Sequence, residues 1–359
     1  MHSTLPQDSV QLAEIQHANE SALLELPNVV GVGIGTKISD KKGDTGQPCI
    51  TALVSAKLPS ELLSESDLVP KVVGSKKTAT DVVEVGDLFA GDRDDDFMGD
   101  MPVLDYATRE ELSKEEPAAE AHEHPTIQMG TPTSLTRRVR PAEGGHSVGH
   151  YRITAGTLGT CCYDLNPFPG TPSKYYILSN NHVLANSNMA NIGDPILQPG
   201  RVDGGTYPRD MIARLSRYVP IRFWAGSSRP LNYVDAAVAE GNLQDLDREI
   251  FWCGYIKKLY TAPNVGDIVQ KCGRTTGFTT GRVTTINATV DVNYGSGRVA
   301  RFARQIVTTP MSAGGDSGSV VLHRNEEAVG LLFAGSSSAT IINNILYVQS
   351  LLRVRVHEL

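Results

Sequence analysis

The chain has 359 residues, 40% of them hydrophobic and 6% aromatic, and a formal net charge of −7. That length suits two domains and that apolar content suits a packed core, which excludes global disorder. The acidic balance excludes general nucleic-acid binding, which needs a basic face, and no stretch approaches the roughly 20 apolar residues of a membrane span.

In chain order, residues 1–8 lack the basic start and apolar core of a secretory leader. Residues 8–25 are expected to form a helix, with Asp8 or Ser9 as its cap and Val10, Leu12, Ile15, Leu23 and Leu24 roughly at helical spacing. Pro27 ends it. Residues 29–35 read as a strand, 40–46 as a polar turn, 50–56 as a second strand and 81–85 as a third. Together these make residues 1–90 a small α+β module. Between Asp81 and Glu120 there are 14 acidic residues against 3 basic ones, a net of −11, so residues 91–136 read as a self-repelling acidic linker. Asp92, Asp94 and Asp96 alternate as in a calcium loop, but Phe97 stands where glycine is required and Val103 where glutamate is required, so no metal is expected. His122-Glu123-His124 reads as a solvated pair of imidazoles.

From residue 137 to 359 the texture changes. Short β-rich runs fall at 151–153, 175–178, 234–239, 268–271, 281–286, 288–292, 305–308, 319–322, 328–332 and 345–348, separated by Gly, Pro and Asn turns. Only the last dozen residues carry a helical period. Such spacing predicts a mainly β fold, a barrel or pair of barrels.

Three segments hold reactive residues: Ser179-Asn180-Asn181-His182, Tyr233-Val234-Asp235-Ala236, and Gly314-Gly315-Asp316-Ser317-Gly318. A seryl hydroxyl needs a base to remove its proton, and a neutral imidazole suits that task near pH 7. The imidazole needs an anion on its far nitrogen, and a carboxylate in an apolar strand such as Asp235 can supply one. The glycines let the backbone approach a substrate, so the amides of Gly315 and Ser317 are candidates for an oxyanion hole. The order His, Asp, Ser is that of double-barrel proteases.

On these motifs, the region from about Tyr151 to Val348 resembles a chymotrypsin/trypsin-fold serine protease, and the whole chain is similar to bacterial two-domain trypsin-like proteases and plant narrow-leaf proteases. Those families share the runs Gly273-Arg274-Thr275-Thr276-Gly277 and Leu331-Leu332-Phe333-Ala334-Gly335. The resemblance implies a double β-barrel protease domain at 137–359, with His182 as general base, Asp235 as its partner and Ser317 as nucleophile. It also implies that Asp316 is buried beneath the nucleophile loop, and that Met311 and Gly335 line the specificity pocket. Met311 stands where trypsin-like enzymes carry an acid, so a small or apolar residue before the scissile bond is expected. A cut after Arg138 would free Val139 to pair with Asp316, although the residues that follow depart from the usual activation pattern.

The expected function is therefore a serine endopeptidase without metal or organic cofactor, acting on a protein or peptide, with the N-terminal module as an assembly, docking or autoinhibitory element. The resemblance also implies a homo-oligomer built on trimers. A catalytically weak scaffold and an esterase-like hydrolase are the alternatives. Five cysteines, an odd count with Cys161 and Cys162 adjacent and none close after His182, point to a reduced, cytoplasmic chain. Cys272 reads as a buried thiol and the Gly-Arg-Thr-Thr-Gly run as a turn. Arg137, Arg138 and Arg140 read either as a cleavage-prone linker end or as a clamp on the acidic segment.

Overall fold

A computed structural model describes residues 9–39, 43–91, 134–165, 172 and 174–357. From residue 142 onward, alternating apolar residues and tight turns fold into two curled sheets and a two-stranded one, Ala142–Gly144 with Leu246–Ile250. Eight strands of the first sheet pair in the order Val354–Arg355, Thr160–Asp164, Tyr175–Ser179, Ala237–Gly241, Met211–Tyr218, Pro195–Leu197, Ser147–His150 and Gly156–Thr157. Gly156–Thr157, at one end of that order, lies two residues in sequence from Thr160–Asp164, near the other. The sheet therefore curls round, and Val148, Leu158, Ile177, Leu184, Ile196 and Leu215 fill its interior.

In the second sheet six strands close a ring: Val299–Thr308, Thr340–Asn344, Glu327–Gly335, Val320–His323, Ile268–Gly273 and Gly277–Asn293, which pairs back onto Val299–Thr308. Closure leaves no free edge within the ring. A further apolar cluster, including Leu178, Val234, Val238, Val320, Leu331 and Ile345, joins strands of the two sheets. The architecture is the mainly β double barrel that the sequence predicts.

The α+β elements at the N-terminus extend the second sheet. Strand Val29–Ser39 pairs antiparallel with Gly277–Asn293, placing Gly31 opposite Val290 and Ile34 opposite Ile286. The next strand, Gly43–Val54, lies on its far side and pairs in parallel with Thr78–Glu84. Close approach explains the glycines here: a Cβ on Gly33 would lie 2.4 Å from Thr285 Cγ2 and 3.1 Å from Ala288 Cα. Helix Val10–Leu24 covers this extension with Leu23 beside Val32 and Ile34. Its buried Gln16 donates to the Asn287 carbonyl at 2.9 Å and accepts from the Asn287 side chain at 2.9 Å. A buried amide so paired pins the helix in register.

Several expected elements differ. Residues 151–153 form a turn, closed by the Ile153 N–H on the His150 carbonyl at 3.0 Å, because the strand ends at His150. Residues 345–348 belong to a helix, Ile345–Leu352. The Asn344 side chain caps it by accepting from the Leu346 N–H, and Ile345, Val348 and Leu352 are buried on one face at helical spacing. Asp235 precedes strand Ala237–Gly241 instead of lying inside it. The expected turn at 40–46 is strand from Gly43 onward, and the third strand begins at Thr78. Ser9 occupies the cap position of the first helix without a side-chain cap bond. Asp8, Asp92, Asp94, Asp96, Phe97, Val103 and His122-Glu123-His124 lie outside the described residues.

Candidate active site

Strand Tyr175–Ser179 runs out of the first barrel and turns directly into the short helix Asn181–Leu184. Two buried amides make that turn: Asn180 Nδ2 donates to the Asp235 carbonyl and Asn181 Nδ2 to the Val219 carbonyl, at 2.7 and 2.8 Å. His182 is thereby held against Asp235. Asp235 is fully buried, and its Oδ2 accepts from His182 Nδ1 at 2.7 Å and from the Tyr294 hydroxyl at 2.6 Å. Its Oδ1 accepts the His182 backbone N–H at 3.2 Å. The Asp235 N–H donates to Asn343 Oδ1 at 2.9 Å, and Asn343 in turn donates to Gln305 Oε1 at 2.7 Å. Burial, then the adjacent Asp235 carboxylate, pushes the Tyr294 phenol well above its ordinary range, so it stays a donor. With Nδ1–H committed to the carboxylate, His182 Nε2 carries the lone pair, and among the described residues this buried nitrogen has no hydrogen-bond partner.

Ser317 lies across the same pocket, of about 370 Å³, which His182, Tyr294 and Gly315 also line. Ser317 and His182 are not directly hydrogen-bonded, a contact that commonly tightens only when substrate binds. Thr157 clamps the loop to the first barrel: its N–H donates to the Ser317 carbonyl at 2.7 Å and its hydroxyl to the Gly315 carbonyl at 2.8 Å. Among the described residues the Gly315 and Ser317 amides donate to no protein acceptor, which leaves two donors for an oxyanion. Gly318 has φ +99°, and a Cβ there would lie 2.0 Å from Ser179 Oγ and 2.2 Å from the Thr157 carbonyl. Gly318→Ala is expected to cost about 3 kcal/mol of stability from backbone strain and overpacking, read as a lowered urea midpoint.

Asp316 is buried and saturated. Its Oδ1 accepts the Thr275 and Thr276 amides at 2.9 and 3.1 Å. Its Oδ2 accepts the Ala313 amide at 3.0 Å, the Thr276 hydroxyl at 2.6 Å and Lys271 Nζ at 3.1 Å. An internal ammonium thus already fills the place that Val139 was expected to take after a cut, and the Val139 N–H instead donates to Gln198 Oε1 at 3.0 Å. Arg138 and Arg140 bind Asp210 and Gln198. The Gly-Arg-Thr-Thr-Gly run is the turn between Ile268–Gly273 and Gly277–Asn293, and its amides hold Asp316. The sequence alone assigns no role at the site to Lys271, Thr275, Thr276, Tyr294 or Asn343, whose partners there lie far along the chain.

A second pocket of about 390 Å³ adjoins the first, lined by Ser312, Ala313, Gly314, Ala334, Gly335 and Ser317 among others. Gly335 lines it. Met311 does not: its side chain is buried in the core with Ile306, Val321 and Leu332, and packs where a Cβ on Gly281 would meet its sulfur at 2.7 Å. Burial pushes the Cys272 thiol up to about 12, so it is neutral and unsuited to attack. Among the described residues no group of three or more His, Cys, Asp or Glu side chains is placed to hold a metal.

No protein-family model matches the chain. Over 150 residues it is 32% identical to glutamyl endopeptidase 2 of Streptomyces griseus, covering 41% of this chain and 64% of that protein. Over 122 residues it is 36% identical to serine protease 2 of Streptomyces fradiae, covering 32% of this chain and 64% of that protein. The chain thus spans 64% of the length of each of these curated relatives. Among solved structures it is similar to Thermobifida fusca protease A, at 15% identity and a TM-score of 0.42, over 59% of this chain and 96% of that one. Nocardiopsis protease gives 17% identity and a TM-score of 0.42, over 60% and 98%. The likeness in sequence is to serine proteases, as the motifs predict.

Proposed function

We propose that the chain is a serine endopeptidase. Ser317 attacks the peptide carbonyl while His182 Nε2 takes its proton and passes it to the departing amine. Asp235 fixes the imidazole and stabilises its cation, and the amides of Gly315 and Ser317 receive the oxyanion. Water, activated by the same imidazole, then hydrolyses the acyl-enzyme. One observation carries the reading: an imidazole tied through Nδ1 to a buried carboxylate keeps its buried Nε2 without a partner among the described residues, in the pocket that Ser317 lines.

The second pocket is the place for the side chain before the scissile bond. Its described lining holds no charged side chain, which favours small or apolar residues there. The first name among the relatives refers to glutamate, yet no cation in this lining is placed to receive a carboxylate. Five buried, unpaired thiols support a reducing, cytoplasmic setting.

A fluorophosphonate probe tests the chemistry. Incubated to completion with the full chain, it is expected to leave one adduct, mapped by peptide mass spectrometry to Ser317. A folded protein that takes up no probe at Ser317 would overturn the reading.

A further inference from the structure

A peptide in the pocket between His182 and Ser317 must find main-chain partners, as an extended segment does when it adds to a sheet. Two strand ends offer them: Gly335, at the end of Glu327–Gly335, and Asn293, at the end of Gly277–Asn293. Both are already taken by the chain itself. Phe89 pairs antiparallel with Gly335, each N–H donating to the other's carbonyl at 3.0 Å. On the opposite side the Ala90 N–H donates to the Asn293 carbonyl at 3.0 Å, and the Asn293 N–H to the Leu88 carbonyl at 2.9 Å. Leu88 is buried beside Tyr294 and Phe333, which anchors the segment. Phe89 and Gly91 line both pockets together with Ser317, and Ala90 lines the one that holds His182.

We propose that residues 88–91 are a built-in pseudosubstrate, which occupies the main-chain acceptor sites of the cleft and must leave before a peptide substrate binds. The proposal rests on the protease reading above. A second feature separates an inhibitor from a substrate. Residues 88–90 are paired as strand would be, but Gly91 has φ +85°. Gly91 therefore departs from the extended course of the residues before it where the segment reaches the pocket that Ser317 lines. Tethering keeps this segment at an effective concentration on the order of millimolar, enough to outcompete dilute peptide.

The test compares hydrolysis of a mixed, quenched peptide library by the full-length wild type and two variants. Phe89→Pro removes the N–H that donates to Gly335, and Leu88→Ala removes the anchoring side chain while leaving every backbone bond available. Folding is checked by thermal melting, and an endpoint fluorophosphonate adduct on Ser317 shows that each protein is chemically competent. In variants that melt cooperatively, kcat/KM for the library is expected to rise about tenfold or more, with the endpoint adduct unchanged. Unchanged or lower kcat/KM in either folded, fully labelled variant would overturn the proposal. So would recovery of wild-type protein cut after Gly91, which would make the segment a substrate. Absence of the adduct from wild type would instead strike the protease reading itself.

Discussion

Asp235→Asn is expected to lower kcat/KM for a peptide substrate by roughly 10⁴ while the protein keeps its fold. The carboxylate is asked for three acceptances: Oδ2 takes His182 Nδ1–H and the Tyr294 hydroxyl, and Oδ1 takes the His182 backbone N–H. An asparagine has one oxygen for these two sites. With its amide nitrogen at the Oδ2 site, it donates to Nδ1, moves the imidazole proton to Nε2 and removes the base. With the nitrogen at the Oδ1 site, it faces the His182 N–H donor to donor. In both orientations the negative charge that would stabilise the imidazolium is gone. Steady-state kinetics and a pH profile check this: raising the pH should recover part of the activity, as hydroxide takes over the task of the base. Activity within tenfold of wild type would remove Asp235 from the mechanism.

The strands that carry this chemistry were legible because their periodicity is local. Tyr175–Ser179, Ile268–Gly273 and Val320–His323 show apolar runs bounded by turn residues, and the glycines around Ser317 mark a loop with no room for side chains. Misreadings arose where a short apolar run fits either period. Ile345–Leu352 has strand-like composition over four residues, and only the asparagine before it and the apolar residues three and seven positions on from Ile345 declare a helix. Met311 failed for a different reason. Its distance from Ser317 in sequence places its backbone beside the pocket, but side-chain direction is decided by the gap over Gly281 on another strand. Tyr294 and Lys271 reach their carboxylates across 59 and 45 positions, pairings that a barrel creates and no local pattern announces. The strand pairing of Phe89 with Gly335 is of the same kind: nothing in Leu-Phe-Ala-Gly says which edge it will meet.

Lys271→Met is expected to cost about 3–5 kcal/mol of stability, because it strands the charge of Asp316 in the core. Both side chains are fully buried, 3.1 Å apart, and Lys271 Nζ also donates to the Gly277 carbonyl at 3.1 Å. Burial pulls the lysine below its ordinary range and Asp316 works against that pull, so the ammonium depends on its partner. Methionine keeps most of the volume, so the loss reports on charge more than on packing. The four remaining donors to Asp316 satisfy its oxygens without supplying a cation. Because one of them is the Ala313 amide, a carboxyl that swings outward relaxes the turn leading to Gly315, and the oxyanion donors lose their alignment. A fall in kcat of about 10²–10³, larger than any change in KM, should accompany the lowered urea midpoint. Adding Asp316→Asn to Lys271→Met removes the stranded charge and should restore part of the stability, but not kcat, since the amide cannot accept what both carboxylate oxygens did. A single variant as stable as wild type would show that Asp316 is held by its hydrogen bonds alone.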